Sequence, residues 1–346
     1  MTNQKIQTTE MRKPLFYRLV TQAVAVVLML VLISARKHDV VTIFTVGDST
    51  MADKSLKNDN QERGWGMMLA GWFDEQVRVD NHAVNGRSSK SFIDEGRWQK
   101  VLERIRPGDY VIIQFGHNDE KSDPKRHTVS GGSFDDNLRR FVREARERGA
   151  QPVLMNAVVR RNYLLVPPAG EDESLRQTAY KDYSGEEVDT LVDTHGDYIV
   201  APRRVAREMG VPFIDANRIT RDLENSLGKE GSRKLHMNFK PGEHPSLPDG
   251  RGDDTHYRVQ GARRVSGLLA EALCEQVPAL KRHLRHYDLV VSSEGRGDFF
   301  TVQQAYDAVP TDRKTTILVG NGEWEKPAKV KGKRVKYVLR SGARWK

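Results

Sequence analysis

Cysteine is nearly absent from this chain of 346 residues, because Cys274 is its single example. One cysteine excludes an internal disulfide and any zinc site built on several thiolates. Cys274 lies in the apolar pattern LLAEALCEQV, which favours a buried helix position over a catalytic thiol. The chain also lacks a G-x-S-x-G sequence and an internal repeat. These two absences count against an α/β-hydrolase nucleophile elbow and against a repeat architecture.

A basic domain surface is missing too, although the net charge is +9. Residues 1–38 hold six Lys/Arg against one Glu, and residues 311–346 hold eleven against three acidic residues, which leaves residues 39–310 at −4. Binding to DNA or RNA requires basic residues clustered on the folded domain itself. The distribution of charge therefore predicts no nucleic-acid partner.

The N-terminus has the pattern of an export signal. Arg12, Lys13 and Arg18 precede the apolar run Ala23–Ile33, which ends in small residues. This order of charged, apolar and small residues is typical of secretory signal peptides. The apolar stretch is only just long enough to span a bilayer, so an uncleaved anchor stays open. We expect residues 1–36 to be a signal peptide or membrane anchor, and the protein to be periplasmic or extracellular, with membrane contact through this segment alone.

From Val40 onward, β-branched runs alternate with amphipathic helical patterns. The five runs are VVTIFTV, QVRVDNHAV, DYVIIQF, QPVLMNAVV and VPFIDA. Such alternation predicts an α/β domain over residues 40–285, with a mainly parallel sheet covered on both faces. The polar segments 161–190 and 228–254 are expected to be long loops, the second facing the substrate. Residues 289–346 change character to strongly basic, β-rich sequence and are expected to form a separate piece.

Three polar motifs directly follow the first three predicted strands. Ser49 lies in GDST after the first strand, Gly86 follows the second, and Asn118 lies in GHND after the third. The carboxyl ends of parallel strands meet at one edge of the sheet, where ligands collect. A serine at a strand end is by itself more often a helix N-cap than a nucleophile. Its meaning therefore depends on the other groups present.

Acyl transfer needs a base, an orienting carboxylate and donors for the oxyanion, and the chain offers each of them. Asp253 and His256 share the motif DDTH, three residues apart, so one turn can bring them together. Asp254 is the competing carboxylate, and the spacing favours Asp253. Asn118 offers a side-chain N–H. Gly86 lacks a Cβ, so its backbone N–H can approach a substrate oxygen closely.

The motifs GDST, NHAVNGRS, GHND and DDTH, in this order, resemble the four sequence blocks of the SGNH (GDSL-like) hydrolase superfamily. More narrowly, FGHND, VDTHGDY, NGRSSKSF and KPGEHPSLPDGRGDDTHY resemble bacterial rhamnogalacturonan acetylesterases. The resemblance covers roughly residues 41–275. It implies a three-layer, flavodoxin-like fold with a doubly wound, five-stranded parallel sheet.

For the site, the resemblance implies a serine esterase that works through an acetyl-serine intermediate without cofactor or metal. It makes Ser49 the nucleophile and adds Asp253 and His256 as the rest of a catalytic triad. It places Ser49, Gly86 and Asn118 in the oxyanion hole. The substrate implied is an acetylated pectic polysaccharide.

The C-terminal piece has a resemblance of its own. GRGDFFTVQQAYDAVP resembles the first strand and helix of a pectin methylesterase, a right-handed β-helix enzyme, and only opening rungs are present. A pectin methylesterase activity would rest on this incomplete piece alone.

A pectic substrate carries carboxylates, so cations are expected around the site. The cationic residues predicted to bind it are Arg87, Arg160, Arg161 and Lys240. Two alternatives stay open: an esterase of the same superfamily for another ester, such as acetylxylan or a lysophospholipid, and a non-catalytic carbohydrate-binding protein. A metal site could be imagined from His117 and His195 with Asp119 and Asp197, but no metal-binding spacing supports it.

Overall fold

A computed structural model describes residues 40–167, 177–181, 184–328 and 330–346. Its strands are β1 Val41–Gly47, β2 Glu62–Arg63, β3 Val77–Asn81, β4 Tyr110–Gln114, β5 Gln151–Met155, β6 Phe213–Ile214, β7 His236–Phe239, β8 Arg251–Arg258, β9 Leu289–Val291, β10 Lys314–Val319, β11 Gly322–Trp324, β12 Arg334–Leu339 and β13 Ala343–Trp345. Its helices are α1 Trp65–Met68, α2 Ser89–Asp94, α3 Arg97–Leu102, α4 Ser133–Glu147, α5 Ala201–Met209, α6 Ala216–Arg233, α7 Val259–Gln276, α8 Pro278–Lys281 and α9 Val302–Asp307. The predicted signal or anchor, residues 1–36, lies outside the described residues. Within the described ranges, no helix has both the length and the apolar character needed to cross a membrane.

The central sheet has five strands in the order β3-β1-β4-β5-β6, and every neighbouring pair is parallel. Each strand arises from one of the five predicted β-branched runs. Because β3 and β4 lie on opposite sides of β1, the strand order reverses beside β1, and the carboxyl ends of these three strands border one crevice. The prediction of a doubly wound, five-stranded parallel sheet is confirmed.

Alternating residues of the central strands pack into two separate hydrophobic cores. All five residues of β4 are buried. Ile112 packs on one face with Leu269 of α7, whereas Ile113 packs on the other face with Phe141 of α4. Truncating a fully buried phenylalanine such as Phe141 typically costs about 3–5 kcal/mol. The two cores make the domain three layers deep, as the resemblance implied.

A second, antiparallel sheet in the order β2-β8-β7 was not predicted. Its central strand β8 carries the DDTH motif. The pairing of β7 with β8 shifts register between His236 and Asn238, which pair with Tyr257 and Gly252. Two steps along β7 thus correspond to five along β8, so β8 carries extra residues that bulge from the ladder. Asp253 and His256 come together within this bulge. Bulges often redirect side chains beside active sites.

The prediction of one long loop over residues 228–254 is wrong. This segment contains the end of α6, all of β7 and the start of β8. Helix α6 changes direction at Gly228, whose φ of +66° is left-handed. Strand β7 is stabilised by pairing with β8. Its own run, HMNF, is too short to show the alternation of polar and apolar residues by which a strand is predicted from sequence.

Residues 289–346 form two small parallel sheets, β12-β10-β9 and β11-β13, which confirms a β-rich C-terminal fragment. They pack around a hydrophobic cluster of their own that includes Val291, Ile317 and Trp324. The fragment also contacts the preceding domain, since Arg63 Nε donates to the backbone oxygen of Gly295 at 3.1 Å. Its resemblance to a pectin methylesterase stays a prediction.

Candidate active site

Ser49 follows β1 in a tightly packed turn. At Gly47, a Cβ would lie 2.6 Å from the backbone oxygen of Gln114, so no side chain fits there. The next residue, Asp48, is buried, and its Oδ1 accepts hydrogen bonds from the backbone N–H and the hydroxyl of Thr50 at 2.9 and 2.8 Å. Burial raises the pKa of Asp48, against the lowering effect of these bonds. The turn is thereby fixed on both sides of Ser49.

A continuous hydrogen-bond relay links Ser49, His256 and Asp253. Ser49 Oγ lies 2.8 Å from His256 Nε2, and His256 Nδ1 lies 2.8 Å from Asp253 Oδ2. The carboxylate of Asp253 accepts the Nδ1–H, which leaves Nε2 as the acceptor for the serine hydroxyl. Such a relay can remove the hydroxyl proton as the oxygen attacks an acyl carbon.

The competing carboxylate, Asp254, has other partners. Its Oδ1 accepts hydrogen bonds from Arg161 Nη1 at 2.9 Å and from Asn238 Nδ2 at 2.8 Å. Of the two aspartates, the structure thus places Asp253 beside His256, which is the choice that the spacing favoured.

Two further residues extend the relay on the side of Asp253. Arg251 Nη2 donates to Asp253 Oδ2 and, at 2.9 Å, to Glu62 Oε2. Glu62 also forms an ion pair with Lys54 at 2.7 Å. Burial alone would raise the pKa of Asp253, but His256 and Arg251 together hold it well below its usual range. For Glu62, burial is likewise outweighed by His256, Lys54 and Arg251, which lower its pKa to about 2. Both carboxyl groups are therefore ionised at neutral pH.

The residues expected to supply the oxyanion donors line the cavity that holds Ser49. Gly86 has a φ of +73°, a conformation that L side chains rarely adopt, and a Cβ there would meet open space. The positive φ of the backbone, rather than a lack of space for a side chain, therefore explains why residue 86 is glycine. Asn118 Nδ2 donates to the backbone oxygen of Arg87 at 3.1 Å, which fixes the orientation of the amide. Ser49, Gly86 and Asn118 all border one cavity.

This cavity has a volume of about 310 Å³. The described residues that line it are Ser49, Glu62, Asn85, Gly86, His117, Asn118, Lys121, Arg126, Arg160, Gln177, Arg251, Thr255 and His256. The lining is polar and contains four cationic side chains. Sequence reasoning missed Lys121, Arg126, Arg251 and Glu62. Lys121 and Arg126 lie two and seven residues after the end of the GHND motif, and this proximity is the one signal by which they could have been found.

The four cations predicted to bind substrate do not share this cavity. Arg160 lines it, while its guanidinium pairs with Glu120 at 2.5 Å. Arg161 and Lys240 line a second cavity of about 290 Å³. Arg87 is not among the described residues around either cavity. Its Nε donates to Glu95 at 3.0 Å, so its charge is directed along the surface. Their positions after predicted strands located these residues at the correct edge of the sheet. Those positions did not predict the direction in which each side chain points.

His117 and His195 form a buried polar cluster beside the cavity. Their rings meet edge to face at a centroid distance of 4.5 Å. His195 Nδ1 lies 2.8 Å from Glu120, and its Nε2 lies 3.1 Å from the backbone oxygen of Val158. Burial, together with the nearby His195 and Arg160, lowers the pKa of His117 well below its usual range, so its ring is neutral. The cluster braces the wall behind Asn118.

A metal-compatible group does occur at the relay itself. Glu62, Asp253 and His256 bring potential ligand atoms within 4.8 Å of one another, and no other such group of three exists in the described ranges. Arg251 bridges both of its carboxylates, and Lys54 takes another oxygen of Glu62. A cation at this position would have to displace the guanidinium.

Comparison with known proteins agrees with this geometry. The family described as GDSL-like Lipase/Acylhydrolase matches residues 45–240. The rhamnogalacturonan acetylesterase RhgT of Bacillus subtilis is 38% identical over 256 residues, which are 74% of this chain and 97% of that protein. The rhamnogalacturonan acetylesterase of Emericella nidulans is 27% identical over 236 residues, covering 67% and 84%.

A solved structure gives the same result. The crystal structure of YxiM from Bacillus subtilis superposes with a TM-score of 0.53 at 25% identity, covering 69% of this chain and 58% of YxiM. The residues that the family matches, 45–240, contain Ser49, Gly86 and Asn118. More than half of the chain matches the family, and the fold and the order of motifs agree with it. The chain therefore belongs to the GDSL-like lipase/acylhydrolase family, and it is an ester-hydrolysing enzyme.

Proposed function

We propose that this enzyme is a serine carbohydrate esterase that removes acetyl groups from a pectic polysaccharide, as its relatives named rhamnogalacturonan acetylesterases do. The observation that carries the proposal is the relay from Ser49 through His256 to Asp253, which opens into a polar cavity beside Gly86 and Asn118.

The proposed reaction begins with attack of Ser49 Oγ on the acetyl carbonyl carbon, while His256 Nε2 takes the hydroxyl proton. The carbonyl oxygen becomes an oxyanion and accepts hydrogen bonds from the backbone N–H groups of Ser49 and Gly86 and from Asn118 Nδ2. Each such donor typically contributes about 10²–10³-fold to kcat. His256 then returns the proton to the sugar oxygen, which leaves as a free hydroxyl group, and acetyl-serine remains.

In the second half of the reaction, water attacks the acetyl-serine. His256 takes a proton from the water, and a second oxyanion forms in the same position. Its collapse expels Ser49 Oγ, which takes the proton back from His256, and releases acetic acid, which ionises to acetate. Asp253 holds the imidazole and stabilises its positive charge in both halves. No step requires a cofactor.

The polar lining supports a short acyl group. No Val, Leu, Ile, Met, Phe, Tyr or Trp belongs to the described lining of the cavity, so a long fatty acyl chain would find no apolar wall. This favours acetate over the acyl group of a lysophospholipid. Acetylxylan stays an alternative, because its acetyl group is the same and only the sugar differs. A protein that binds carbohydrate without reacting has no need of the relay.

We also propose that the chain is exported through residues 1–36 and that residues 40–285 and 289–346 are separate structural units of the mature protein. Support for export comes from the charged, apolar and small residues of the N-terminus. Support for the division comes from the separate hydrophobic cluster of the C-terminal fragment.

The proposal is tested by measuring acetate release from acetylated rhamnogalacturonan, acetylated homogalacturonan and acetylxylan side by side. We expect the highest kcat/KM on a pectic polymer and none above background for Ser49→Ala. Equal or higher kcat/KM on acetylxylan would move the assignment to the alternative substrate.

A further inference from the structure

A short loop directly after Asn118 supplies two of the cations that line the cavity. Its ends are tied together, since Thr128 donates its backbone N–H to the backbone oxygen of Asp119 at 3.0 Å and its hydroxyl to Asp119 Oδ1 at 2.9 Å. Asp119 also accepts a hydrogen bond from the backbone N–H of Ser89, at the start of α2. Residues 120–127 therefore form a closed loop on a buried base.

The loop is braced internally by Asp123. Its backbone oxygen accepts hydrogen bonds from the N–H groups of Arg126 at 2.8 Å and His127 at 2.7 Å. Its carboxylate accepts from the backbone N–H of Lys125 at 3.0 Å and from Arg126 Nε at 2.8 Å. These bonds are local and fix the direction of the chain from residue 123 to residue 127. A site on a braced loop is pre-organised, which favours specific recognition.

The anionic residue at the start of this loop is already neutralised. Glu120 pairs with Arg160 at 2.5 Å and with His195 at 2.8 Å, behind the wall of the cavity. Lys121 and Arg126 are half-buried and line the cavity that holds Ser49. The carboxylate paired with Arg126, on Asp123, is 37% exposed, so that ion pair is worth little and an incoming anion can compete for the guanidinium.

The other two cations of the cavity are directed elsewhere. Arg251 bridges Asp253 and Glu62, and Arg160 is held by Glu120. Lys121 and Arg126 line the same cavity as Ser49. A negatively charged part of a substrate that enters beside Ser49 would meet their side chains there. The side chain of an arginine is well suited to a planar carboxylate, which it can bind through two N–H groups.

We propose that Lys121 and Arg126 bind the carboxylate of a uronic acid residue that neighbours the acetylated sugar, and that this contact selects acidic over neutral polysaccharides. The inference rests on the proposed function, because it assumes that an acetylated polysaccharide occupies the cavity. It assigns the recognition of charge to the loop of residues 120–127 rather than to the strand-end arginines.

The test uses the variants Lys121→Gln and Arg126→Gln, singly and together, with Lys125→Gln as the matched control. Lys125 belongs to the same loop but is exposed and is not among the described residues of the cavity lining. The substrates are acetylated rhamnogalacturonan, the same polymer with its carboxyl groups reduced to alcohols, and p-nitrophenyl acetate.

For the double variant we expect KM on the acidic polymer to rise about tenfold or more relative to KM on p-nitrophenyl acetate, as for loss of charge-assisted contacts. The difference between the native protein and the double variant should vanish on the reduced polymer. Added salt should raise KM of the native protein on the acidic polymer and change it less in the double variant, because salt screens the attraction. Lys125→Gln should behave like the native protein throughout.

A second measurement does not depend on acetate release from a polymer. Unacetylated rhamnogalacturonan oligosaccharides should inhibit hydrolysis of p-nitrophenyl acetate, with an inhibition constant about tenfold higher in the double variant. Equal inhibition of the native protein, the double variant and Lys125→Gln would overturn the inference. A native protein that releases acetate only from neutral polymers would instead overturn the proposed function, whatever the variants show.

Discussion

His256 is held by Asp253 at two points. Its backbone N–H donates to Asp253 Oδ1 at 3.0 Å, and its ring Nδ1 lies 2.8 Å from Asp253 Oδ2. One carboxylate thus fixes both the chain that carries the imidazole and the orientation of the ring. Since Asp253 Oδ1 also accepts the backbone N–H of Thr255 at 2.9 Å, the bulge of β8 is built around this side chain.

The two neighbouring aspartates give a matched test of this arrangement. Asp253→Asn should lower kcat by about 10⁴-fold, because an amide no longer selects the tautomer of His256 that accepts the serine proton. Asp254→Asn should keep most of the activity and lose about 1–3 kcal/mol of unfolding free energy through its weakened bond to Arg161. Steady-state kinetics and urea unfolding of both variants measure the two effects. The reverse ranking of activities would assign the orienting role to Asp254.

Ser49→Ala should reduce kcat by at least about 10⁴-fold without loss of folding, since the hydroxyl is the proposed nucleophile. A serine-directed phosphonate should label Ser49 in the native protein, as located by peptide mass spectrometry. Ser55→Ala, an exposed serine a few residues along the chain, is the control and should retain full activity. Turnover by Ser49→Ala at the native rate would end the serine-esterase proposal.

The lowered pKa of Glu62 leads us to expect that the stability of the protein changes with pH in a specific range. Its pKa in the folded protein is about 2, below the ordinary value of 4.5, so ionised Glu62 stabilises the fold above about pH 4.5. That contribution is lost as the pH falls from 4.5 towards 2. Glu62→Gln should therefore lower the unfolding free energy by roughly 3 kcal/mol at pH 7, and the gap to the native protein should narrow at pH 3.

Urea unfolding at both pH values measures the effect of Glu62→Gln. Glu103→Gln, which replaces an exposed glutamate, should leave the curves nearly unchanged. A gap between the native protein and Glu62→Gln that is as large at pH 3 as at pH 7 would show that packing, rather than charge, makes Glu62 important.

Chelators should leave the activity intact. The carboxylates that could ligate an ion at the relay are bridged by Arg251, and the proposed chemistry uses no Lewis acid. Prolonged dialysis against EDTA, followed by assay with p-nitrophenyl acetate, measures this. Loss of turnover that zinc or manganese restores would require a metal role for Glu62, Asp253 and His256.

Removal of residues 289–346 should lower stability more than activity. The deletion takes away Gly295, which accepts from the buried Arg63, and Asp298, whose Oδ2 lies 3.5 Å from Arg263 Nε. Each of these two buried guanidinium groups loses one of its partners, which is costly, so we expect the melting temperature to fall by about 5 °C or more. All proposed catalytic residues lie before residue 289, so kcat per folded molecule should stay near the native value.

A shorter deletion of residues 311–346 keeps Gly295 and Asp298 and serves as the comparison for thermal unfolding. An equal fall in melting temperature for both deletions would assign the stabilisation to the small sheets rather than to the two arginines. A folded but inactive protein after the longer deletion would show that the fragment supports the site.

The central sheet was predictable because its strands are buried on both faces and appear as short β-branched runs between amphipathic helices. Strand β8 was not, because its sequence RGDDTHYR is polar and its bulge has no signature in residue types. The close approach of Asp253 and His256 could still be expected from their spacing. The sequence predicted that a turn would bring Asp253 and His256 together. In the structure, they make this contact within strand β8.

The wall of the cavity shows where sequence reasoning ends. Arg160 and Arg161 are adjacent in the chain, yet one lines the cavity of Ser49 and the other lines a separate cavity. Which cation faces a substrate is decided by partners far away in sequence, such as Glu120 for Arg160 and Asp254 for Arg161. No local pattern contains that information.

The joined ends of the loop at residues 120–127 have a consequence for how such an enzyme can change over generations. Because Asp119 and Thr128 bond to each other, residues 121–127 can be exchanged, or their number increased, at a small cost in loop-closure entropy. Glu120 keeps its bonds to Arg160 and His195 behind Asn118 in such a change. Selection of the polymer and cleavage of the ester bond thus lie in parts of the chain that can vary independently. A grafted loop without cations is a direct route to an esterase for neutral glycans.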